Sequence, residues 1–177
     1  FGRTNTPCLS SRWECNNAIY GQTSNPWSRE RTPGGSTGGG AAAIAAGIGA
    51  MAQGNDVGGS IRYPAYCCGI AGLRPSRGRV PMYNATQPYR GHCNQIFNVE
   101  GLLARDVRDL AGALPIISRG HVDDPWWVGR PERPLEPAQQ ARIGLIAENP
   151  NTPMDPRVSE EIRAVGSALE ALGFEVE

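Results

Sequence analysis

The stretch GGSTGGGAAAIAAGIGAMAQGNDVGGS, residues 34–60, constrains this chain more than any other part of it. Two Gly-Gly-Ser triplets end at Ser36 and Ser60, and the segment between them is dominated by alanine and glycine. Glycine lets a backbone turn tightly and lets other groups approach it closely, so each triplet reads as a loop that presents its serine. A short apolar segment joining two such loops has a simple explanation: both hydroxyls reach one small site. Residues 38–51 read as a buried helix. The apolar run 41–52 is far shorter than the roughly 20 residues a membrane span needs.

The rest of the chain reads more coarsely. Residues 1–35 look irregular, with NTP, SNPW and TPGG marking turns. One short strand is expected within 70–80, and a second helix over 102–114, with Pro115 interrupting the helical pattern at that point. Residues 119–138, proline-rich and carrying Trp126 and Trp127, read as an extended connector. Beyond it, RIGLIA (142–147) reads as a short buried strand and 156–172 as a helix. Asp155 can cap that helix, Pro156 suits its first position, and Gly173 stops it. Val158, Ile162, Val165, Leu169 and Leu172 lie on one apolar face. FEVE begins another strand, and strand, helix, strand in succession implies parallel pairing. A sheet is a poor place for a chain to stop, and the sequence opens on Phe1 without a methionine. A fragment of something larger is therefore expected.

Composition excludes several function classes. All 17 basic residues are arginine, so the lysine-bearing phosphate loop and Schiff-base chemistry cannot be completed here. A formal net charge of zero argues against a nucleic-acid footprint. The cysteines (Cys8, Cys15, Cys67, Cys68, Cys93) are odd in number and lack C-x-x-C spacing, and the only histidines are His92 and His121. Neither a zinc site nor a disulfide framework is expected, and with no signal sequence visible the reading is a reduced, cytoplasmic protein. Cys67 and Cys68 read as small buried apolar residues, His92 as a solvated loop residue, and the tryptophan pair as packing for the connector.

Three motif readings compete over residues 34–60. Gly34-Gly35-Ser36-Thr37-Gly38 matches the G-x-S-x-G elbow of an α/β-hydrolase, with Ser36 as nucleophile and His92 or His121 and an acid such as Asp123 as partners. Gly38, Gly40 and Ala43 match a dinucleotide-binding G-x-G-x-x-A, with Asp56 further on. Both require an apolar strand before the loop, and SRERTP is not one. The third reading uses both loops. GGSTGG, AAAIAAG, GNDVGGSIRYPA and CGIAGLRPSRGRVP follow one another, and Ser36 lies 24 residues before Ser60. In these segments the chain resembles the amidase signature family, whose pattern is a Gly-Gly-Ser-Ser-Gly-Gly loop, an alanine-rich helix, a second Gly-Gly-Ser-(Ile/Val)-Arg loop and a Cys-Gly tail. GRTNTP, GQTSNPWSRERTPGG and VEGLLARDVRDLAGAL extend the likeness over nearly the whole chain.

The resemblance implies an α/β fold, a mixed β-sheet covered by helices on both faces, here incomplete. Residues 34–81 would hold the signature core, 119–138 the connector, and 142–177 the start of a further βαβ segment. It implies hydrolysis of a carboxylic amide by a serine, serine and lysine set. Ser60 would be the acylated nucleophile, and Ser36, after a cis Gly35–Ser36 peptide, would relay protons. The backbone N–H groups of Val57, Gly58, Gly59 and Ser60 would form the oxyanion hole, with Asp56 and Arg62 bracing the loop. The two hydroxyls should then lie within hydrogen-bonding distance or one bridging water. No cofactor or metal is called for. The partner is a small-molecule amide, with neither nucleic acid nor membrane, and a homodimer is compatible with the pattern. Thr37, Asn55 and Leu102 depart from the commonest family residues, and the lysine is absent. These 177 residues alone are expected not to turn over amides. Two alternatives stand beside the amidase: the glutamine-hydrolysing subunit of an aminoacyl-tRNA amidotransferase, and a non-catalytic remnant of the fold.

Overall fold

The structure, a computed structural model, describes residues 2–86, 91–129 and 142–177, and the chain divides into two units, Phe1–Arg130 and Pro131–Glu177. In the larger unit a small hairpin of Asn16–Asn17 (β1) and Gly21–Gln22 (β2) is followed by Gly38–Ala45 (α1), Met51–Asp56 (β3), Arg62–Cys68 (α2) and Ala71–Leu73 (β4). Then come His92–Phe97 (α3), Val99–Ala104 (β5) and Val107–Ile117 (α4). The sheet is antiparallel in the order β3-β5-β4, so β5 lies in the middle.

The central strand explains the layering. Successive side chains of a strand point to opposite faces. Leu103 joins Ala41, Ile61, Ala65 and Cys68, so α1 and α2 cover one face. Leu102 and Ala104 join Leu110 and Ala113, so α4 covers the other. Close packing on the first face depends on missing side chains. A Cβ at Gly72 would stand 2.7 Å from Ala65 Cβ, and one at Gly40 would stand 3.1 Å from Ala52 Cβ. Arg105, just past β5, donates to the carbonyls of Ile44 (2.9 Å) and Gly49 (3.0 Å), holding the end of α1 and the turn after it.

Helices on both faces of a sheet are thus present as expected, with antiparallel pairing in this unit. Three boundaries differ from the sequence reading. The helix expected over 38–51 ends at Ala45, where Gly47 (φ +82°) and Gly49 (φ +84°) turn the chain, and Met51 begins a strand. The helix expected over 102–114 begins at Val107, because Leu102–Ala104 belong to β5 and Asp106 caps the helix by accepting from Arg108 N–H at 2.8 Å. Pro115 does not end that helix, which continues to Ile117. It lies near the C-terminus, where little of the helical ladder is lost. The strand expected within 70–80 is β4.

In the connector, only 119–129 lie among the described residues, and 130–138 fall outside them. Trp127, partly buried, packs near Gly120 and Gly129 and donates from its indole N–H to Ser118 O at 3.0 Å, whereas Trp126 is exposed, with Arg77 4.7 Å over its ring. In the smaller unit Arg142–Ile143 (β6) pairs with Glu175–Val176 (β7), parallel as expected, around Pro156–Ala171 (α5). Asp155 caps α5, accepting from Arg157 N–H at 3.0 Å. The first strand is shorter than 142–147 and is not buried, with Ile146 largely exposed. Val165 and Leu172 are also exposed, whereas Ser159 and Gly166 are buried, because Gly166 lets the helix approach Leu145.

Candidate active site

The first loop is buried throughout, from Pro33 to Gly40. Its glycines are needed for closeness. A Cβ at Gly34 would stand 2.8 Å from Pro64 Cα in α2, and one at Gly35 would stand 2.6 Å from Arg12 O and 2.8 Å from Trp13 C. The loop is therefore clamped between α2 and the backbone of residues 12–14. The Gly35–Ser36 peptide is cis. Thr37, the next residue, packs its side chain on Gly54 of β3, so the loop also rests on the sheet.

The second loop leaves β3 at Asp56 and enters α2 at Arg62. Gly59 turns it, with φ +113°, a conformation that favours glycine. Ser36 is 2% exposed and Ser60 8% exposed. The loops meet through the backbone: Thr37 N–H donates to Ser60 C=O at 3.2 Å. Among the described residues no hydrogen bond joins the two hydroxyls directly, and none occupies either one. The serines thus lie on adjoining stretches of chain, both on the α1/α2 side of the sheet.

Asp56 organises the second loop. Its carboxylate, fully buried, accepts from Gly59 N–H (2.8 Å), Ile61 N–H (3.1 Å) and Arg62 N–H (3.3 Å). It also accepts from Arg62 Nε (3.0 Å) and Nη2 (2.9 Å). Burial pushes this carboxyl up, but the Arg62 side chain and the three N–H donors outweigh it and hold it at about 2. Asp56 is therefore an anion at neutral pH. Its bond from Gly59 N–H engages one of the four N–H groups assigned to the oxyanion hole. Those of Val57, Gly58 and Ser60 have no acceptor among the described residues, and Val57 is partly exposed.

Sequence reasoning does not find Arg74. Its Nε lies 3.5 Å from Asp56 Oδ1, a second cation on the same carboxylate, while its Nη2 donates to Phe97 O at 2.8 Å. The available signal is the basic position in GLRP, within the Cys-Gly tail. Asn25 and Trp27 read in the sequence only as turn residues. Asn25 donates to Cys67 O (2.7 Å) and the Trp27 indole to Cys68 O (2.8 Å), satisfying carbonyls at the end of α2. Neither histidine is placed in the loops: His92 is exposed at the start of α3, and His121 stacks on Tyr83 with ring centroids 4.5 Å apart. All five cysteines are free, and burial pushes the Cys68 thiol up to about 11, which suits packing rather than reactivity.

A sheet layered by helices, with two glycine-bounded serine loops joined across their backbones, is the framework of an amidase-type fold. The chain belongs to the amidase family, whose description, Amidase, matches residues 1–177. It is 40% identical over 180 residues to an indoleacetamide hydrolase of Bradyrhizobium diazoefficiens, covering 99% of this chain and 34% of that protein. It is 38% identical over 187 residues to a glutamyl-tRNA(Gln) amidotransferase subunit of a Picosynechococcus species, covering 99% and 37%. A solved structure of 6-aminohexanoate cyclic dimer hydrolase complexed with substrate superposes with a TM-score of 0.87 at 35% identity, over 99% of this chain and 38% of that one. The chain thus spans little more than a third of the length of the relatives it matches. Among the described residues no helix is long and apolar enough to cross a membrane.

Proposed function

We propose that the protein carrying this chain hydrolyses a carboxylic amide to an acid and an amine or ammonia through an acyl-serine intermediate. The observation that carries this reading is the backbone junction of the two serine loops, Thr37 N–H on Ser60 C=O, beside the Asp56 brace. Ser60 Oγ attacks the amide carbon as its proton passes to Ser36, and the Ser36 proton passes to a base. The oxyanion is held by the N–H groups of Val57, Gly58 and Ser60, with Gly59 a fourth donor if its bond to Asp56 lengthens. Such donors act by being in place before charge develops. The tetrahedral intermediate collapses as the amine leaves with a proton delivered through Ser36, and water then cleaves the acyl-Ser60 ester. Asp56 and Arg62, with Arg74, fix the loop. A serine hydroxyl needs a base at neutral pH, and the one we assign is a lysine outside these 177 residues. The free cysteines agree with a reduced, cytoplasmic setting.

The test is labelling with a fluorophosphonate probe, with the modified residue located by mass spectrometry, alongside turnover of simple aryl and alkyl amides. Ser60 should be labelled in the full-length protein and not in the 177-residue chain, and Ser60→Ala should lower turnover on the order of 10⁴-fold or more. Turnover that survives Ser60→Ala refutes the assignment. A second reading is favoured by the amidotransferase relatives: hydrolysis of glutamine, with ammonia passed to a partner enzyme. Glutamine turnover that exceeds that of every simple amide, and that rises when companion subunits are added, would select it.

A further inference from the structure

We propose that Arg74 is a positioning residue for the reaction: its Nε–H replaces Gly59 N–H on the Asp56 carboxylate as that amide turns to the developing oxyanion. The inference rests on the amide-hydrolysing reading above and adds to it the group that releases the fourth donor.

A carboxylate oxygen offers two lone pairs. At Asp56 Oδ1 both are engaged by short bonds, from Gly59 N–H (2.8 Å) and Arg62 Nη2 (2.9 Å). Arg74 Nε stands 3.5 Å from the same oxygen, farther than an ordinary hydrogen bond, and is a buried donor with no acceptor among the described residues. Buried donors are rarely left in that state. The atom is already enclosed by these residues, so its position does not depend on what covers the chain elsewhere. Its guanidinium is also tied to the sheet: Nη2 donates to Phe97 O at 2.8 Å, two residues before Val99, which pairs with Asp56. Arg74 Nε is thus held one short movement from the oxygen that Gly59 now occupies.

The loop is built to make the exchange. The peptide that carries Gly59 N–H is flanked by Gly58 and Gly59, so no side chain of its own resists a rotation. Releasing that N–H with nothing in its place would strip a donor from a buried anion, a loss comparable to what the oxyanion gains. Arg74 Nε closing on Oδ1 offsets it. Gly59 N–H then acts with those of Val57, Gly58 and Ser60 at no net loss to the brace.

The experiment follows phosphonylation of Ser60 by a fluorophosphonate in the full-length protein. Ser60 Oγ bonds to phosphorus, fluoride leaves, and the hydroxyl proton passes through Ser36 to the lysine base. Charge builds on the phosphoryl oxygen, so kinact reports the oxyanion donors whatever amide the enzyme prefers. In methionine the atom at the place of Nε is a methyl carbon, and in glutamine it is an amide nitrogen; both lose the charge and the bond to Phe97 O. Arg74→Met should lower kinact about 10–100-fold with KI within about threefold, short of the roughly 10²–10³-fold of deleting an oxyanion donor outright. Arg74→Gln should remain at least about fivefold faster than Arg74→Met, because it keeps a donor there. Equal rates in the two variants, the result if Arg74 only supplies charge or anchors Phe97, overturn the exchange, as does an unchanged kinact in Arg74→Met. A crystal structure of the unsubstituted, phosphonylated protein decides it without a variant: Arg74 Nε should close to about 2.9 Å from Asp56 Oδ1, with Gly59 N–H on the phosphonyl oxygen. An adduct in which Gly59 N–H still donates to Asp56 refutes the proposal. Failure of the amidase reading is seen separately, as an absence of labelling at Ser60 in the unsubstituted protein.

Discussion

Replacing Asp56 with asparagine removes one negative charge and almost no volume from the centre of the second loop. The carboxylate accepts from three backbone N–H groups and twice from Arg62. Asparagine can still accept on Oδ1, but its amide would face a guanidinium that also donates. The folded carboxyl is held at about 2 against an ordinary 3.8, and at 1.36 kcal/mol per unit this corresponds to about 2.5 kcal/mol of stability at neutral pH. The backbone N–H bonds to this buried carboxylate are shielded, but Arg62 is more than half exposed, so solvent screening makes that figure an upper value. The folded value is depressed, so the contribution is complete above the unfolded value, near 4, and is lost as pH falls through about 2. About half of it should remain at pH 3. Urea unfolding of both proteins at pH 7 and pH 3 is the assay: Asp56→Asn should be less stable by up to about 2.5 kcal/mol at pH 7, with the gap roughly halved at pH 3. A gap under about 0.5 kcal/mol at pH 7, on the scale of an ordinary surface change, or one that does not narrow in acid, would refute the role given to this carboxylate.

Two further substitutions probe the frame around the site. Gly72→Ala places a methyl 2.7 Å from Ala65 Cβ, and the crowding should lower stability by about 1–3 kcal/mol, read as a fall in urea midpoint at unchanged slope. Asn25→Ala removes the donor to Cys67 O and Thr32 O from a residue 5% exposed. It should cost about 1–3 kcal/mol and speed proteolysis within 24–33, seen by timed digestion and mass spectrometry.

What the sequence discloses depends on which signal each segment carries. Helix α5 is legible because Asp155, Pro156 and Gly173 mark its ends chemically, and those marks do not depend on the rest of the fold. The second half of strand β5, Leu102–Ala104, reads wrongly as helix because the strand is buried on both faces, so VEGLLA has no alternation, and an apolar run without alternation suits a buried helix equally well. The helix expected over 38–51 is too long because alanine favours helix at every position, and the glycines that end it belong to the same small-residue run. At the site, loop positions carry across from motif to motif. Arg74 cannot be anticipated by spacing, since its approach to Asp56 is set by pairing between β4 and β5. The apolar face of α5 is only partly right for a related reason: Gly166 determines which side of the helix comes close.

The link between the two loops is a peptide N–H on a peptide carbonyl, Thr37 to Ser60. Neither group depends on which side chain either residue bears. The spacing of the pair is therefore inherited from the path of the main chain, and either hydroxyl can be exchanged without cutting the tie that sets it. For a lineage this separates two kinds of change: drift at positions 36 and 60 alters or silences chemistry in a scaffold that stays assembled, whereas drift at the glycines around them dismantles the scaffold itself. A silent descendant with intact loops is then one side-chain change away from regaining a nucleophile.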